Sequence, residues 1–144
     1  MSNKIRLGIL GGGGDSLIGV VHRIASNMFD RYQLIGGCFN PNLEDNNNFA
    51  KRIGIPLNRV YASLDILIEE ELKLPAEERM EVISVLTPNF LHFPMAKKLL
   101  ENEFNVICEK PLTTSYAEAL ELEAIQKEKQ AVFAVTYTYT GYPM

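Results

Sequence analysis

Four consecutive glycines, Gly11, Gly12, Gly13 and Gly14, stand directly after the short apolar run KIRLGIL at residues 4–10. Glycine leaves the main chain open to close approach, and the free N–H groups at the start of a following helix attract anions. The pattern therefore predicts a tight turn that binds a phosphate group, and a pyrophosphate suits it best. The alternative is a glycine-rich turn that binds nothing.

The spacing of this turn departs from the Gly-x-Gly-x-x-Gly pattern of dinucleotide-binding turns. Gly11 and Gly13 fit the pattern, but Ser16 stands in the third position and the next glycine is Gly19. The sequence thus predicts a turn longer than the standard one. Asp15 would repel a diphosphate unless it turns outward as the helix cap. A P-loop nucleotide triphosphatase is excluded, because no Gly-Lys-Ser/Thr follows the glycines.

Asn40 ends the second apolar run, QLIGGCF at residues 33–39. Dinucleotide-binding folds commonly place an acid here, where it contacts the adenosine ribose. The asparagine amide can hydrogen-bond a 2′-hydroxyl without repelling a 2′-phosphate, and Lys51 and Arg52 follow within one predicted helix. NAD and NADP therefore both remain open. The alternative is that Asn40 is a simple turn residue before Pro41.

Two tripeptides close later apolar runs of the chain. The first ends the run at residues 81–87 and the second ends the run at residues 104–110; they are Thr87, Pro88, Asn89 and Glu109, Lys110, Pro111. With the glycine turn, they resemble the motifs of the Gfo/Idh/MocA oxidoreductases, named for glucose–fructose oxidoreductase and inositol dehydrogenase. The likeness extends over essentially all 144 residues, through IGVVHRIA, TPNFLHFPMAKKLL, VICEKPLTTSYAEALEL and YTGYPM.

This resemblance implies that residues 1–144 form the Rossmann-type NAD(P)-binding domain of a two-domain oxidoreductase, with a C-terminal α/β substrate domain outside this chain. The cofactor would be NAD or NADP. The partner of the complete protein would be a small polyhydroxylated substrate, such as a sugar or cyclitol, and the complete protein a homo-oligomer. Because the family usually keeps its acid/base group in the second domain, we expect the chain alone to bind cofactor weakly and to turn nothing over.

The resemblance also implies roles for single residues. The four glycines would face the pyrophosphate, and the nicotinamide end of the cofactor would be lined by Thr87, Pro88, Asn89 and His92. Lys110 would stand between nicotinamide ribose and substrate, where its ammonium donates to the reacting oxygen and stabilises developing negative charge. Glu109 would orient Lys110 or pair with it. The alternatives are a structural role for His92 and a surface position for Lys110.

Other observations limit the resemblance. Tyr137 and Thr138 stand where members similar in the last strand tend to have His-Asn, so no contact is assigned there. His22 has apolar neighbours on its helix and is interpreted as a packing residue.

Two other functions stay open: a non-catalytic dinucleotide-binding regulator of the same fold, and an S-adenosylmethionine-dependent methyltransferase. Asn40 counts against the methyltransferase, because those enzymes normally carry an acid at that strand end.

The elements that must position these residues alternate between strands and helices, which predicts an α/β fold. We expect a doubly wound parallel sheet in three αβα layers, with strand order 3-2-1-4-5-6. The strands are predicted at residues 4–10, 33–39, 59–63, 81–87, 104–110 and 131–139. The first helix is expected to pack on the sheet through Leu17, Val20, Val21, Ile24 and Met28. A later helix is expected to present a solvated face with Glu69, Glu70 and Glu71.

Composition sets outer bounds on the function. The chain has 144 residues, 47% of them hydrophobic, and a formal net charge of −4, which argues against nucleic acid as a partner. No apolar stretch is long enough to span a membrane and no signal peptide opens the chain, so the cytoplasm is expected. Cys38 and Cys108 lie on strands three positions apart in the predicted order, too far for a disulfide, and are interpreted as small buried hydrophobic residues.

Overall fold

A computed structural model describes residues 4–143. Within this region the strands are Ile5–Gly11 (β1), Tyr32–Cys38 (β2), Val82–Leu86 (β3), Asn105–Cys108 (β4) and Phe133–Val135 (β5). The helices are Leu17–Asn27 (α1), Leu43–Arg52 (α2), Leu64–Lys73 (α3), His92–Glu101 (α4) and Tyr116–Lys129 (α5). A capping box of Ser115 and Glu118 opens α5, and Pro94 lies in the first turn of α4.

The strands of the described region form one parallel sheet in the order β2-β1-β3-β4-β5. The order reverses between β1 and β3, because the chain moves outward from β1 in one direction and then returns to its other side. In such a sheet, ligands bind beyond the carboxyl ends of the strands at the reversal. The prediction of a Rossmann-type, doubly wound α/β fold is confirmed.

The third predicted strand, residues 59–63, is wrong as a strand. Its place beside β2 is right, but the pairing is a single parallel bridge between Gly37 and Val60. The buried side chain of Asn46 replaces some of the main-chain hydrogen bonds that a full strand would make. Its Oδ1 accepts from Phe39 N and its Nδ2 donates to Tyr61 O, both at 2.8 Å. This amide satisfies two buried main-chain groups, so a full strand is not needed to pair them.

The sixth predicted strand, residues 131–139, is shorter than expected. Only Phe133–Val135 pairs with β4, and residues Thr138–Gly141 form a 3₁₀ turn. The tyrosines of this last segment are exposed, and Tyr139 packs edge to face on Tyr142 with ring centroids 5.6 Å apart.

The apolar face predicted for α1 is wrong, because its members point outward. Leu17 is 78% exposed and Ile24 is 59% exposed. The helix instead turns Ile18 and His22 toward the sheet, where Ile18 packs on buried apolar residues and His22 meets a carboxylate. The rotation of a helix is set by its closest contacts, and a hydropathy pattern does not register the polar contact of His22.

Apolar side chains fill both faces of the sheet, as the layered prediction requires. One cluster joins Leu10, Ile83 and Val106 to side chains of α3, α4 and α5. The other joins Leu7 and Ile9 to side chains of α2. Successive strand residues alternate between the two clusters, since side chains of a strand point alternately to opposite faces.

Glu71 corrects the expectation of a solvated glutamate face on α3. It is fully buried, whereas Glu69 and Glu70 are exposed and pair with Lys73. The Glu71 carboxylate accepts from Arg59 at 2.8 Å, from Tyr61 Oη at 2.5 Å and from Met80 N at 2.8 Å. A buried carboxylate requires such partners, and these come from segments that the helical spacing of α3 does not reveal.

Both cysteines are free thiols in the described chain. Cys108 on β4 is buried, as predicted, while Cys38 on β2 is only half-buried. β1 and β3 lie between these two strands, so the predicted separation of three sheet positions is confirmed. Burial raises the pKa of the Cys108 thiol to about 12. Among residues 4–143, no helix is both long enough and apolar enough to cross a lipid bilayer.

Candidate dinucleotide-binding site

The glycine turn leaves β1 in a conformation that side chains would obstruct. Gly12 has φ +65°, and a Cβ atom on Gly13 would lie 2.5 Å from Phe39 O. A Cβ atom on Gly19 would lie only 1.9 Å from Gly12 O, so α1 begins in direct main-chain contact with the turn. Gly19 therefore allows the close helix packing that the third glycine allows in the standard pattern, which confirms the prediction of a longer turn.

Ser16 caps α1 by accepting from Gly19 N at 3.2 Å. Asp15 is exposed and takes no part in the cap contact that the structure describes. Ser16 satisfies one of the first main-chain N–H groups of α1, and the other free N–H groups of that first turn follow directly after the glycine turn. The carboxylate of Asp15, which would repel a diphosphate, therefore lies on the exposed surface.

Two arginines that sequence analysis did not connect to the turn hold its carbonyl oxygens. Arg23 Nη1 donates to Gly12 O at 2.9 Å, and Arg52 Nη2 donates to Gly14 O at 3.2 Å. Both guanidinium groups lie over the ring of Phe49, 4.9 and 5.2 Å from its centroid. Burial and the nearby charge of Arg52 lower the pKa of Arg23. The result is a concentration of positive charge beside the amides of the turn.

Replacing Gly19 with alanine is expected to weaken NADH binding and to lower the free energy of unfolding by about 1–3 kcal/mol, because the added Cβ overpacks the contact with Gly12. The matched control is Gly141→Ala, since a Cβ there would meet no atom of the described chain within 4 Å. Urea unfolding and NADH titration of both variants check this. Equal behaviour of the two variants would contradict a packing role for Gly19.

The carboxyl ends of β1, β2 and β3 enclose a cleft of about 450 Å³. Gly11, Gly12, Asn40 and Thr87 line it. A second cavity of about 420 Å³ adjoins this cleft, since Asn40 lines both. The second cavity is also lined by Gly14, Asp45 and Arg52. Asn40 Oδ1 accepts from Asn42 N at 2.8 Å, as an Asx turn does, so its amide hydrogens remain to face a ligand.

The hydroxyl of Thr87, at the end of β3, has an unusual environment. Its hydroxyl oxygen is buried and has no hydrogen-bond partner within residues 4–143. Buried polar atoms are normally paired, so an orphan beside a cleft indicates where a ligand would bind. The cleft suits a dinucleotide on two grounds: the glycine turn leaves its main chain open to the approach of phosphate oxygens, and the Thr87 hydroxyl has no partner within residues 4–143. Pro88 and Asn89 follow on the exposed rim.

His92 lies behind the rim of the cleft rather than on it. It is 1% exposed, and its ring nitrogens contact two main-chain oxygens, Nδ1 with Pro111 O at 2.7 Å and Nε2 with Thr87 O at 2.8 Å. The ring thus bridges the two motif tripeptides. A direct contact between His92 and a cofactor stays a prediction, and this geometry supports the structural alternative.

Glu109 and Lys110 point in different directions from the end of β4. Lys110 is exposed, whereas Glu109 is 7% exposed. Glu109 Oε1 accepts from His22 Nε2 at 2.9 Å and from Thr136 Oγ1 at 2.5 Å, while its Oε2 accepts from Lys110 N at 3.0 Å. In the described region Glu109 therefore contacts the main chain of Lys110 and has no ion pair with its ammonium.

The carboxylate of Glu109 is held in its charged form. Burial by itself would raise its pKa, but hydrogen bonds from Thr136, His22 and Lys110 N outweigh burial and lower the pKa below the usual glutamate value. The participation of His22 was missed by sequence analysis. The signal available was weak, because a histidine among apolar helix residues gives no indication of a partner 87 positions later in the chain.

A parallel sheet with a glycine turn at its order reversal and an open cleft beyond its strand ends defines a nucleotide-binding domain of the Rossmann type. The chain belongs to the Gfo/Idh/MocA family: residues 5–137 match the family described as oxidoreductases with an NAD-binding Rossmann fold. Solved structures of similar domains contain NAD⁺ or NADH. The predicted family and the predicted nicotinamide dinucleotide cofactor are confirmed.

Three relatives illustrate the likeness. The uncharacterized oxidoreductase YfiI of Bacillus subtilis is 34% identical over 100% of this chain and 36% of its own length. An inositol dehydrogenase homolog of Azotobacter vinelandii, crystallised with NADH and myo-inositol, matches with TM-score 0.93 and 33% identity over 98% of this chain and 37% of its own. An oxidoreductase of Sinorhizobium meliloti matches with TM-score 0.90 and 38% identity over 99% of this chain and 39% of its own. The chain thus spans little more than a third of the length of these relatives.

Proposed function

We propose that the chain binds NAD(H) or NADP(H) and serves in hydride transfer between the nicotinamide and a hydroxylated substrate, such as a sugar or cyclitol. The observation that carries the proposal is that the glycine turn and Thr87 line one cleft at the strand ends beside the order reversal. Lys110 follows β4, the strand next to β3. The similarity to a homolog crystallised with NADH and myo-inositol supports this substrate class. In the complete protein, a second domain would supply the acid/base group and much of the substrate pocket.

The chain's own residues would divide the work. The amides of Gly11–Gly14 bind the pyrophosphate, and the Thr87 hydroxyl donates to the cofactor on the nicotinamide side. The bound nicotinamide supplies the hydride chemistry. Lys110, exposed at the end of β4, donates a hydrogen bond to the substrate oxygen and stabilises negative charge that develops on it. His92 and Glu109 hold the main chain on which these groups stand.

Calorimetric titration of the chain with NADH, NADPH and S-adenosylmethionine tests the proposal. Because Asn40 stands where an acid would repel a 2′-phosphate, we expect NADH and NADPH both to bind, with dissociation constants within about tenfold of each other, a difference of about 1.4 kcal/mol. Binding of neither dinucleotide would overturn the proposal. Tight binding of S-adenosylmethionine alone would favour the methyltransferase instead.

The variant Gly13→Val serves as the negative control in this titration, since its side chain would collide with Phe39 O and close the turn. Loss of binding in Gly13→Val with an unchanged circular dichroism spectrum assigns the site to the turn. Undiminished binding by that variant would place the dinucleotide elsewhere.

A further inference from the structure

The two histidines of the chain, His22 and His92, flank the same short loop, although they belong to helices on opposite faces of the sheet. His22 on α1 reaches the loop through the Glu109 carboxylate. His92 on α4 reaches it through the carbonyl of Pro111. Lys110 lies between these two points of attachment.

We propose that His22 is a positioning residue for Lys110, acting through Glu109; this inference rests on the proposed function. One carboxylate oxygen of Glu109 accepts from His22 and the other from Lys110 N, at 2.9 and 3.0 Å. Any rotation of the Glu109 carboxyl that lost the His22 contact would also disturb the contact to Lys110 N. The orientation of α1 is thereby connected to the main chain that carries the ammonium.

The surroundings make this connection stiff. The side chains of His22 and Glu109 are only 13% and 9% exposed. Their contact lies in the wall of a groove of about 260 Å³ that is otherwise lined largely by apolar side chains such as Leu7, Ile18 and Ile107. Hydrogen bonds are stronger where water is excluded, and a buried carboxylate that loses a donor is destabilised. The contact is therefore expected to persist in solution.

Thr136 completes the network from the far side. Its hydroxyl donates to the same carboxylate oxygen as His22, at 2.5 Å, and its N–H donates to Cys108 O at 3.0 Å. Glu109 is thus held by α1 and by the segment that follows β5, and in the described chain it makes no ion pair with the Lys110 ammonium. A carboxylate paired with that ammonium would compete with the substrate oxygen for its hydrogen bonds, so this arrangement leaves the ammonium available.

The test compares NMR spectra of the isotopically labelled chain with NADH bound, for wild type and for His22→Phe. In wild type we expect cross-peaks between the Lys110 side chain and protons of the nicotinamide or its ribose, together with shifted amide resonances of the glycine turn. In His22→Phe the Lys110 cross-peaks should be lost and its amide resonance should move, while the glycine shifts persist. Glu109→Gln should have the same effect without altering α1.

Two further variants separate positioning from folding. His22→Gln retains a side-chain N–H donor and should restore the Lys110 cross-peaks in part. Ile24→Phe places the same ring on the exposed side of α1 and should leave the spectrum as in wild type. Retention of the Lys110 cross-peaks in both His22→Phe and Glu109→Gln would overturn the inference. Absence of glycine shifts in wild type would overturn the proposed function instead, and the position of the unliganded Lys110 amide resonance in His22→Phe would still decide whether His22 holds the loop.

Discussion

Replacing Lys110 with alanine in the complete protein is expected to lower the proposed kcat for hydride transfer by about 100- to 1,000-fold, the usual cost of removing one donor to developing negative charge. The dissociation constant for NADH should change little, because the pyrophosphate contacts at Gly11–Gly14 do not involve this side chain. Steady-state kinetics and NADH titration of the purified variant measure the two effects separately.

The control for this experiment is Lys127→Ala, which removes an exposed lysine of α5 paired with Glu123. It should match wild type in kcat and in NADH affinity. If Lys110→Ala also retained full turnover, Lys110 would have no part in the chemistry. A wild-type protein that binds NADH and never turns over hydroxylated substrates would instead favour the non-catalytic regulator.

Replacing Glu71 with alanine is expected to lower the free energy of unfolding by about 3–5 kcal/mol, because it leaves the half-buried guanidinium of Arg59 without its counterion. The variant also removes the acceptor of Tyr61 Oη and of Met80 N. Burial, and after it the hydrogen bond to Glu71, raise the pKa of the Tyr61 phenol well above its usual range. Urea unfolding followed by circular dichroism gives the measurement.

Glu70→Ala is the matched control, since this neighbour on α3 is exposed and pairs only with Lys73 at the surface in the described chain. Its effect should stay within about 1 kcal/mol, as for other exposed ion pairs. A loss below about 1 kcal/mol for Glu71→Ala as well would show that the buried network contributes little to stability.

The sheet and its order could be predicted because each strand is a short apolar run bounded by turn residues, and because parallel crossovers permit few topologies. The third predicted strand, which is only a single bridge, and the sixth, which was predicted too long, mark the limit of this approach. The stretch at residues 59–63 is apolar enough for a strand, yet the Asn46 amide satisfies the main chain beside it and only Val60 pairs. The composition of residues 59–63 gives no indication of this contact with Asn46.

The candidate site likewise contains residues that the sequence predicts and contacts that it does not. The glycines were recognisable from type and spacing, and the motif tripeptides from their resemblance to the family. The partners that hold them were not: Arg23 and Arg52 on the glycine turn, His22 on Glu109 and Arg59 on Glu71 are contacts between distant parts of the chain. Each depends on which way a side chain turns once the helices have packed, and helical spacing gives only one face at a time.

A crystal structure of the chain with NADH bound would test the central claim most directly. We predict that the pyrophosphate oxygens lie within hydrogen-bond distance, about 2.7–3.2 Å, of the main-chain amides of the glycine turn. The nicotinamide should lie at the ends of β3 and β4, with the Lys110 ammonium beside its ribose. A dinucleotide bound outside the cleft at the carboxyl ends of β1 to β3, or a Lys110 ammonium in solvent far from the nicotinamide, would contradict the account.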